Sequence, residues 1–155
     1  MAEIEGFNFP DDLYYHPEHA WVRLEDDGTV TIGINDFAQD AAGEISYIDL
    51  PFQGDEVVEN ETMAKIQTAK WVGPVKAPVS GEVVEINEEL EFETEAINES
   101  PYGAGWICRI QPSDWDLDQD KLMRVGDELH EWLKKEKARA EAEKAAAGIE
   151  DEEDE

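Results

Sequence analysis

One lysine in this chain stands where a side-chain amine invites chemistry. Lys70 falls in the run Met63-Ala-Lys-Ile-Gln-Thr-Ala-Lys70-Trp-Val-Gly-Pro-Val-Lys-Ala-Pro78-Val-Ser-Gly81, between two segments that nearly repeat each other. The first is Gly54-Asp-Glu-Val-Val-Glu-Asn-Glu61 and the second is Gly81-Glu-Val-Val-Glu-Ile-Asn-Glu88. A short unit repeated at this spacing reads as two similar β-units packed as one. The chain must reverse between them, and a lysine at such a reversal is exposed, mobile and chemically available. Lys65 and Lys76 compete with it. Lys65 falls inside a predicted strand and Lys76 sits two residues before a proline, so neither is placed at the turn. Spacing alone leaves open that Lys70 is an ordinary solvated lysine. A buried catalytic lysine needs desolvation that a hairpin tip does not provide.

The elements that would position Lys70 follow from alternation and turn residues. Asn8 to Tyr15 closes a polar lead-in and begins a strand. Trp21 to Glu25 and Thr29 to Ile34 alternate around Asp26-Asp27-Gly28, which predicts a β-hairpin. Asn35 or Asp36 caps a short helix that starts at Phe37 and ends by Gly43. Ile45 to Leu50 reads as a strand closed by Pro51. Met63 to Thr68 and Val75 to Val79 read as strands on either side of Lys70, and Val83 to Ile86 as another. Leu90 to Ile97 is acidic with few apolar positions and carries only a weak pattern. A Gly-rich turn at Pro101 to Trp106 leads into a last strand, Trp106 to Ile110.

Beyond Pro112 the character changes. Ser113 or Asp114 can cap a helix holding Leu117, Leu122 and Met123. Gly126 breaks it, and Asp127 can cap a second helix with Leu129, Trp132 and Leu133 on one face. From Glu136 the Ala/Glu/Lys run has no apolar face and reads as solvated helix to Gly148. Glu150 to Glu155 is wholly acidic and reads as disordered. The expected organisation is a β domain over residues 8–114, C-terminal helices over 115–135 packed on it, and a solvated helix with an acidic tail over 136–155.

Composition bounds the partners. Forty acidic residues against twelve basic ones give a formal charge of −28 in 155 residues. Phosphate binding needs clustered Lys and Arg, so nucleic acid is excluded as a partner, and an anionic membrane surface with it. Charge of this size is self-repelling, and salt relieves the repulsion. The single cysteine, Cys108, rules out an internal disulfide and reads as a small buried residue in an apolar strand. No apolar run approaches bilayer length, and the acidic start lacks the features of a signal peptide. The expectation is a cytoplasmic protein. His16, His19 and His130 lack metal-ligand spacing, so no metal is expected. The glycines after Tyr102 are not followed by the Lys and Ser/Thr of a phosphate loop. Trp21, Trp106, Tyr14 and Tyr15 read as core or half-core aromatics. Trp71 reads either as an anchor for a docking partner or as a side chain folded onto the sheet.

The chain resembles the H protein of the glycine cleavage system, a lipoyl carrier. The likeness runs from about Tyr15 to Asp114 and rests on His19-Ala-Trp-Val-Arg23, Gly33-Ile-Asn-Asp36, Gly54-Asp-Glu-Val57, Ala77-Pro-Val-Ser-Gly-Glu-Val-Val-Glu-Ile-Asn87 and Asn98-Glu-Ser-Pro-Tyr-Gly-Ala-Gly-Trp106. The resemblance implies a mostly β fold with short α, the biotinyl/lipoyl-domain barrel-sandwich hybrid, with C-terminal helices added. It also implies lipoic acid as a covalent amide on Lys70, because the family's modified lysine lies eight residues before the Pro that is Pro78 here. A dithiolane on a flexible arm, held by a rigid hairpin, carries cargo between active sites on separate proteins. Such a protein is a non-catalytic carrier.

Departures from the family pattern bear on the cargo. The segment before the lysine usually reads Glu-Ser-Val; here it is Gln67-Thr68-Ala69. Ala20 stands where the family usually has Glu, Phe37 where it has His, and Pro74 where it has Asp four residues after the lysine. In the family those polar groups cradle an aminomethyl cargo, a cation that wants acceptors and negative charge. Ala20, Phe37 and Pro74 offer neither, so a more apolar cradle, with Thr68 and Trp71 beside the arm, is expected. That expectation favours the related lipoate-binding proteins of sulfur oxidation, whose partners are a heterodisulfide-reductase-like complex and sulfurtransferases. The alternative is the aminomethyl carrier, served by the glycine cleavage P, T and L proteins. Either needs a lipoyl ligase or lipoyltransferase. A third reading is an unmodified scaffold domain that kept the fold and lost the arm.

Overall fold

The computed structural model describes residues 2–69 and 72–153, and the side chains of 3–69 and 72–142. An N-terminal hairpin comes first: β1 (Ala2–Ile4) pairs antiparallel with β2 (Phe7–Phe9). Glu5 and Gly6 both take positive φ between them, and this turn is what closes so short a hairpin. It was not evident in the sequence that this lead-in would pair with itself. Ile4 and Phe9 are buried, so the packed body begins ahead of residue 8.

A six-stranded antiparallel sheet carries most of the rest. Its strands are β3 (Tyr14–Tyr15), β4 (Ala20–Leu24), β5 (Val30–Ile34), then β11 (Cys108–Pro112), β10 (Gly81–Ile86) and β7 (Glu56–Val57), in that spatial order. The predicted hairpin is β4–β5, with Gly28 at positive φ and Asp27 accepting from both the backbone and the hydroxyl of Thr29. The two near-repeats meet directly. β7 from the first copy pairs with β10 from the second, Gly81 against Val57 and Glu82 against Glu56. The contact is extended by Gly54 N–H to Val83 O at 2.7 Å and Val83 N–H to Asp55 O at 2.8 Å.

A second sheet has three strands in the order β6 (Ile45–Asp49), β8 (Thr62–Thr68) and β9 (Val72–Lys76). The sequence placed the last of these at Val75 to Val79. The strand instead starts at Val72 and ends at Lys76, before Ala77 and Pro78. Pro74 is tolerated because β9 is an edge strand, where a missing N–H interrupts no interior ladder. The inner faces of the two sheets share one apolar cluster, including Val22, Ile32, Ile48, Ile66, Val75, Val83 and Ile110. In β9, β10 and β11 this burial alternates with period 2, whereas β5 is buried along its whole length.

The helices close the ends. α1 (Asp36–Ala42) is capped by Asn35, whose Oδ1 accepts from Ala38 N–H, and it stops at Gly43. The weakly patterned acidic stretch is not a strand; a 3-10 turn (Glu88–Glu91) and α2 (Glu95–Glu99) bury Leu90 and Ile97 respectively. Two apolar residues at this spacing suit one-sided helical turns rather than alternation. α3 (Trp115–Gln119) is capped by Asp114 but is shorter than expected. Leu122 and Met123 fall beyond it, because Met123 bridges Tyr15 through backbone hydrogen bonds of 2.7 Å. α4 runs from Asp127 to Glu153. The helix continues past Gly148 to Glu153, in keeping with the high helix propensity of the Ala/Glu/Lys run.

Candidate functional site

β8 and β9 form a hairpin in register Gln67↔Val72. The connection between Thr68 and Val72 therefore consists of Ala69, Lys70 and Trp71. Lys70 and Trp71, the lysine and the aromatic singled out in the sequence, lie outside the described residues. What the structure gives is the platform below them. The inner face of the three-stranded sheet carries the rows Ile45↔Thr68 and Ile48↔Ile66↔Gly73, all buried. Thr68 is 7% exposed, so its side chain points inward beneath the connection rather than outward. Pro74 is exposed on the opposite face, paired with Lys65.

Asn98 fixes the start of β6 next to this hairpin. Its Oδ1 accepts from Ile45 N–H at 2.9 Å, and its Nδ2 donates to Gly43 O at 2.8 Å and to Gln39 Oε1 at 3.1 Å. One amide thus ties the end of α1, the first residue of β6 and the end of α2 together. The sequence offered Asn98 only as part of a motif; its role as a clamp needs the three-dimensional neighbours. Beside it lies an open cleft of about 400 Å³ lined by Gln39, Asp40, Gly43, Glu44, Glu95, Asn98 and Glu99. Gly43 and Glu44 lead directly into Ile45, the cross-strand partner of Thr68, so this acidic cleft adjoins the connection end of the hairpin.

Ala20 and Phe37 sit elsewhere. Ala20 is buried in the main core, opposite Ile34. Phe37 belongs to a second cluster with Phe9, Tyr15, Trp21, Leu129 and Leu133. Its ring meets Phe7 edge-on at 5.2 Å and stacks on His19 at 5.9 Å. α4 covers this cluster. Trp132 Nε1–H donates to Pro17 O at 3.1 Å, and Glu136 accepts from His19 Nε2 at 3.0 Å. Burial lowers the His19 imidazole from its usual range and outweighs the opposing pull of Glu136 and Glu18; Arg139 also lowers it. The ring is thus neutral near pH 7, with its hydrogen on Nε2 toward Glu136. Of the expected cradle residues, the structure brings Thr68 and Pro74 together on one hairpin, on opposite faces, and leaves Ala20 and Phe37 packed in separate cores.

Other motif residues are explained by packing. Trp21 is fully buried, donates Nε1–H to Pro101 O at 2.9 Å, and lies against Gly33, where a Cβ would come within 2.6 Å of the indole. The Tyr102 hydroxyl accepts from Asp36 N–H at 2.9 Å and donates to Asn8 O at 2.6 Å. Burial raises its pKa. Burial also pushes the Cys108 thiol up to about 12, which leaves it unreactive.

Two β-sheets around one core, with a lysine-bearing hairpin between paired near-repeats, define a lipoyl-domain-like carrier fold. The comparisons specify it further. The family model described as glycine cleavage H-protein matches residues 13–136. A probable glycine cleavage system H protein from Pyrococcus abyssi is 45% identical over 123 residues, covering 79% of this chain and 91% of the relative. A glycine cleavage system H protein from Psychrobacter is 50% identical over 109 residues, covering 70% and 86%. The crystal structure of a glycine cleavage system H protein from Mycobacterium marinum superposes with a TM-score of 0.72 at 28% identity, covering 83% of this chain and 98% of that one. The chain belongs to the glycine cleavage H-protein family. Members of this family are carriers without catalysis of their own and bear covalent lipoate, so this chain is a carrier and not an enzyme.

Proposed function

We propose that this protein is the aminomethyl carrier of a glycine cleavage system, with lipoate joined to Lys70 as an amide. The arm takes up an aminomethyl group at one enzyme and presents it to the next, at high effective concentration once docked. Its partners are then a lipoyl ligase or lipoyltransferase and the P, T and L proteins. The observation that carries this reading is the family match over residues 13–136, with Lys70 in the short connection of the β8–β9 hairpin.

The sulfur cargo expected from the departures is not supported. The matched relatives are named for glycine cleavage, and the residues behind that expectation are mostly engaged elsewhere. Phe37 packs against Phe7 and His19 under α4, so its ring speaks for the second core and not for an apolar arm site. Asp40, Glu44, Glu95 and Glu99 at the cleft by Asn98 supply the negative field that a cationic amine needs.

The test is intact-mass measurement of the lipoylated protein, followed by loading with glycine and glycine decarboxylase. The expected result is one lipoyl adduct on Lys70 and an aminomethyl adduct on the arm. Lys70→Arg keeps the charge but offers no acylable amine. It is expected to abolish attachment while changing stability by less than about 1 kcal/mol. A lipoylated Lys70→Arg variant would move the site, and normal lipoylation without aminomethyl loading would refute the cargo.

A further inference from the structure

The β8–β9 hairpin and its connection carry Lys65, Lys70 and Lys76, and an enzyme that acylates one of them must reject two others within six residues. Amine chemistry does not separate solvated lysines, so the selection has to be positional. The outward face of the three-stranded sheet provides a reference for position. Cross-strand partners share a face, and the row nearest the connection is Tyr47↔Gln67↔Val72. Tyr47 is 55% exposed and Val72 62%. They stand two strand spacings apart, about 10 Å, too far to shield each other across Gln67. The next row is Asp49↔Lys65↔Pro74, also exposed.

Ser46 keeps the first row in place. It is the extra residue where the β6–β8 register shifts, and its Oγ–H donates to Gln67 O at 3.1 Å. The bulge re-aims Tyr47 onto the outer face directly opposite Gln67. The surroundings are acidic. Asp49 lies in the adjoining row, Glu44 precedes Ile45 at the head of β6, and the whole chain carries −28. Lys65 and, two positions beyond Pro74 on β9, Lys76 are the basic residues of this face among those described.

We propose that the Tyr47–Gln67–Val72 row is the docking surface for the enzyme that lipoylates Lys70, and that it sets which lysine is modified. This rests on the carrier reading above. The complementary surface is an apolar pocket for Tyr47 and Val72 ringed by Lys and Arg, since only a basic rim matches this charge. Seating one row from the connection holds Lys70 at the reacting carbon and leaves Lys65, one row back, displaced from it. The step joins Lys70 Nζ to the carboxyl carbon of lipoyl adenylate and breaks the mixed anhydride. AMP leaves, and the ammonium gives up two protons to solvent.

The experiment uses the full-length unmodified protein with a lipoate–protein ligase, ATP and lipoic acid, and peptide mass mapping of the adduct. The variant is Tyr47→Ser with Val72→Thr. Leu117→Ser serves as control, because Leu117 is equally exposed on α3, away from this sheet. The double variant is expected to lose at least about tenfold in kcat/KM for attachment, mostly through KM, with adduct appearing on Lys65. The control should stay within about twofold. Raising salt from about 0.1 to about 1 M cuts the Debye length from about 10 to about 3 Å and should slow wild-type attachment. Attachment to the double variant within about twofold of wild type, an equal loss in the control, or a salt-insensitive rate would each overturn the proposal. Circular dichroism separates a folding defect, and the salt arm tests the wild-type protein regardless. If the wild type gains no adduct at Lys70, the carrier reading itself fails, and the docking surface with it.

Discussion

Leu133→Ala tests whether α4 is part of the folded body. Leu133 is fully buried in the second cluster together with Leu129, Phe37, Trp21 and Tyr15. The change removes three carbons, worth about 2.4 kcal/mol at about 0.8 kcal/mol each. The cavity left among rigid aromatic rings raises the loss to about 3–4 kcal/mol. For a chain of this length that lowers the melting temperature by about 6–16 °C. A second outcome is built into the geometry. α4 is held through Leu129, Trp132, Leu133 and Glu136 in its first three turns, with Ala140 packed against the same cluster one turn further. If docking is weaker than the cavity cost, α4 detaches as a unit and the global loss is smaller. Amide exchange would then accelerate in α1 around Phe37, while denaturant midpoints fall less. Urea unfolding with the m-value, read beside exchange in α1, distinguishes these cases. A loss under about 1 kcal/mol with unchanged exchange around Phe37 would refute the burial of Leu133 and the packing of α4.

Gly81→Ala should cost about 3 kcal/mol or more in denaturant unfolding, since its Cβ would fall 2.1 Å from Gln111 O in the β10–β11 ladder. Gly126→Ala, with nothing within 4 Å, should change stability by no more than about 0.5 kcal/mol; equal effects at the two positions would contradict the packing of β10. Acidification in about 1 M salt should lower stability in two stages. The folded His19 has its pKa below 6.5, so the unfolded chain binds more protons and stability falls as pH drops from about 6.5. Glu25 is held below 4.5 chiefly by the Thr31 hydroxyl. Glu59, which burial alone would raise, is held below it by hydrogen bonds from His16 and Lys121. Their contributions are present above about 4.5 and are lost as pH falls below it. His19→Gln should flatten the first stage only; a slope between pH 7 and 5 that survives in this variant would exclude His19 as its source.

Much of the fold was legible because alternation and turn residues point the same way. The β4–β5 hairpin and the Asn35 cap were readable from local chemistry, and the reversal around Lys70 from the near-repeat that brackets it. The repeat said more than expected, since the two copies pair with each other in β7 and β10. What was not legible depended on partners distant in sequence. Met123 left the predicted helix because Tyr15 takes its backbone hydrogen bonds. The acidic stretch after Asn87 became helical turns because Leu90 and Ile97 each needed only one buried side. Asn98 gave no local sign that it would join α1, β6 and α2.

The cargo inference shows where reading substitutions position by position breaks down. Phe for His and Ala for Glu remove polarity from a binding site only if those positions still line one. In this chain Phe37 is enclosed by Phe7, His19 and the cluster beneath α4, and Ala20 is buried against the main core. An imidazole in the place of Phe37 would face Phe7 and the apolar cluster beneath α4, with His19 as its polar neighbour, and any nitrogen left unpaired there costs about 1–3 kcal/mol. Packing under a helix of this length is thus sufficient reason for the phenylalanine, without any change of cargo. The polarity that an amine requires is found on Asp40, Glu44, Glu95 and Glu99, on the solvent-open side of the same α1–β6 junction. Carboxylates on this cleft are the kind of group a cationic passenger calls for, so the three motif departures do not by themselves argue for a neutral one.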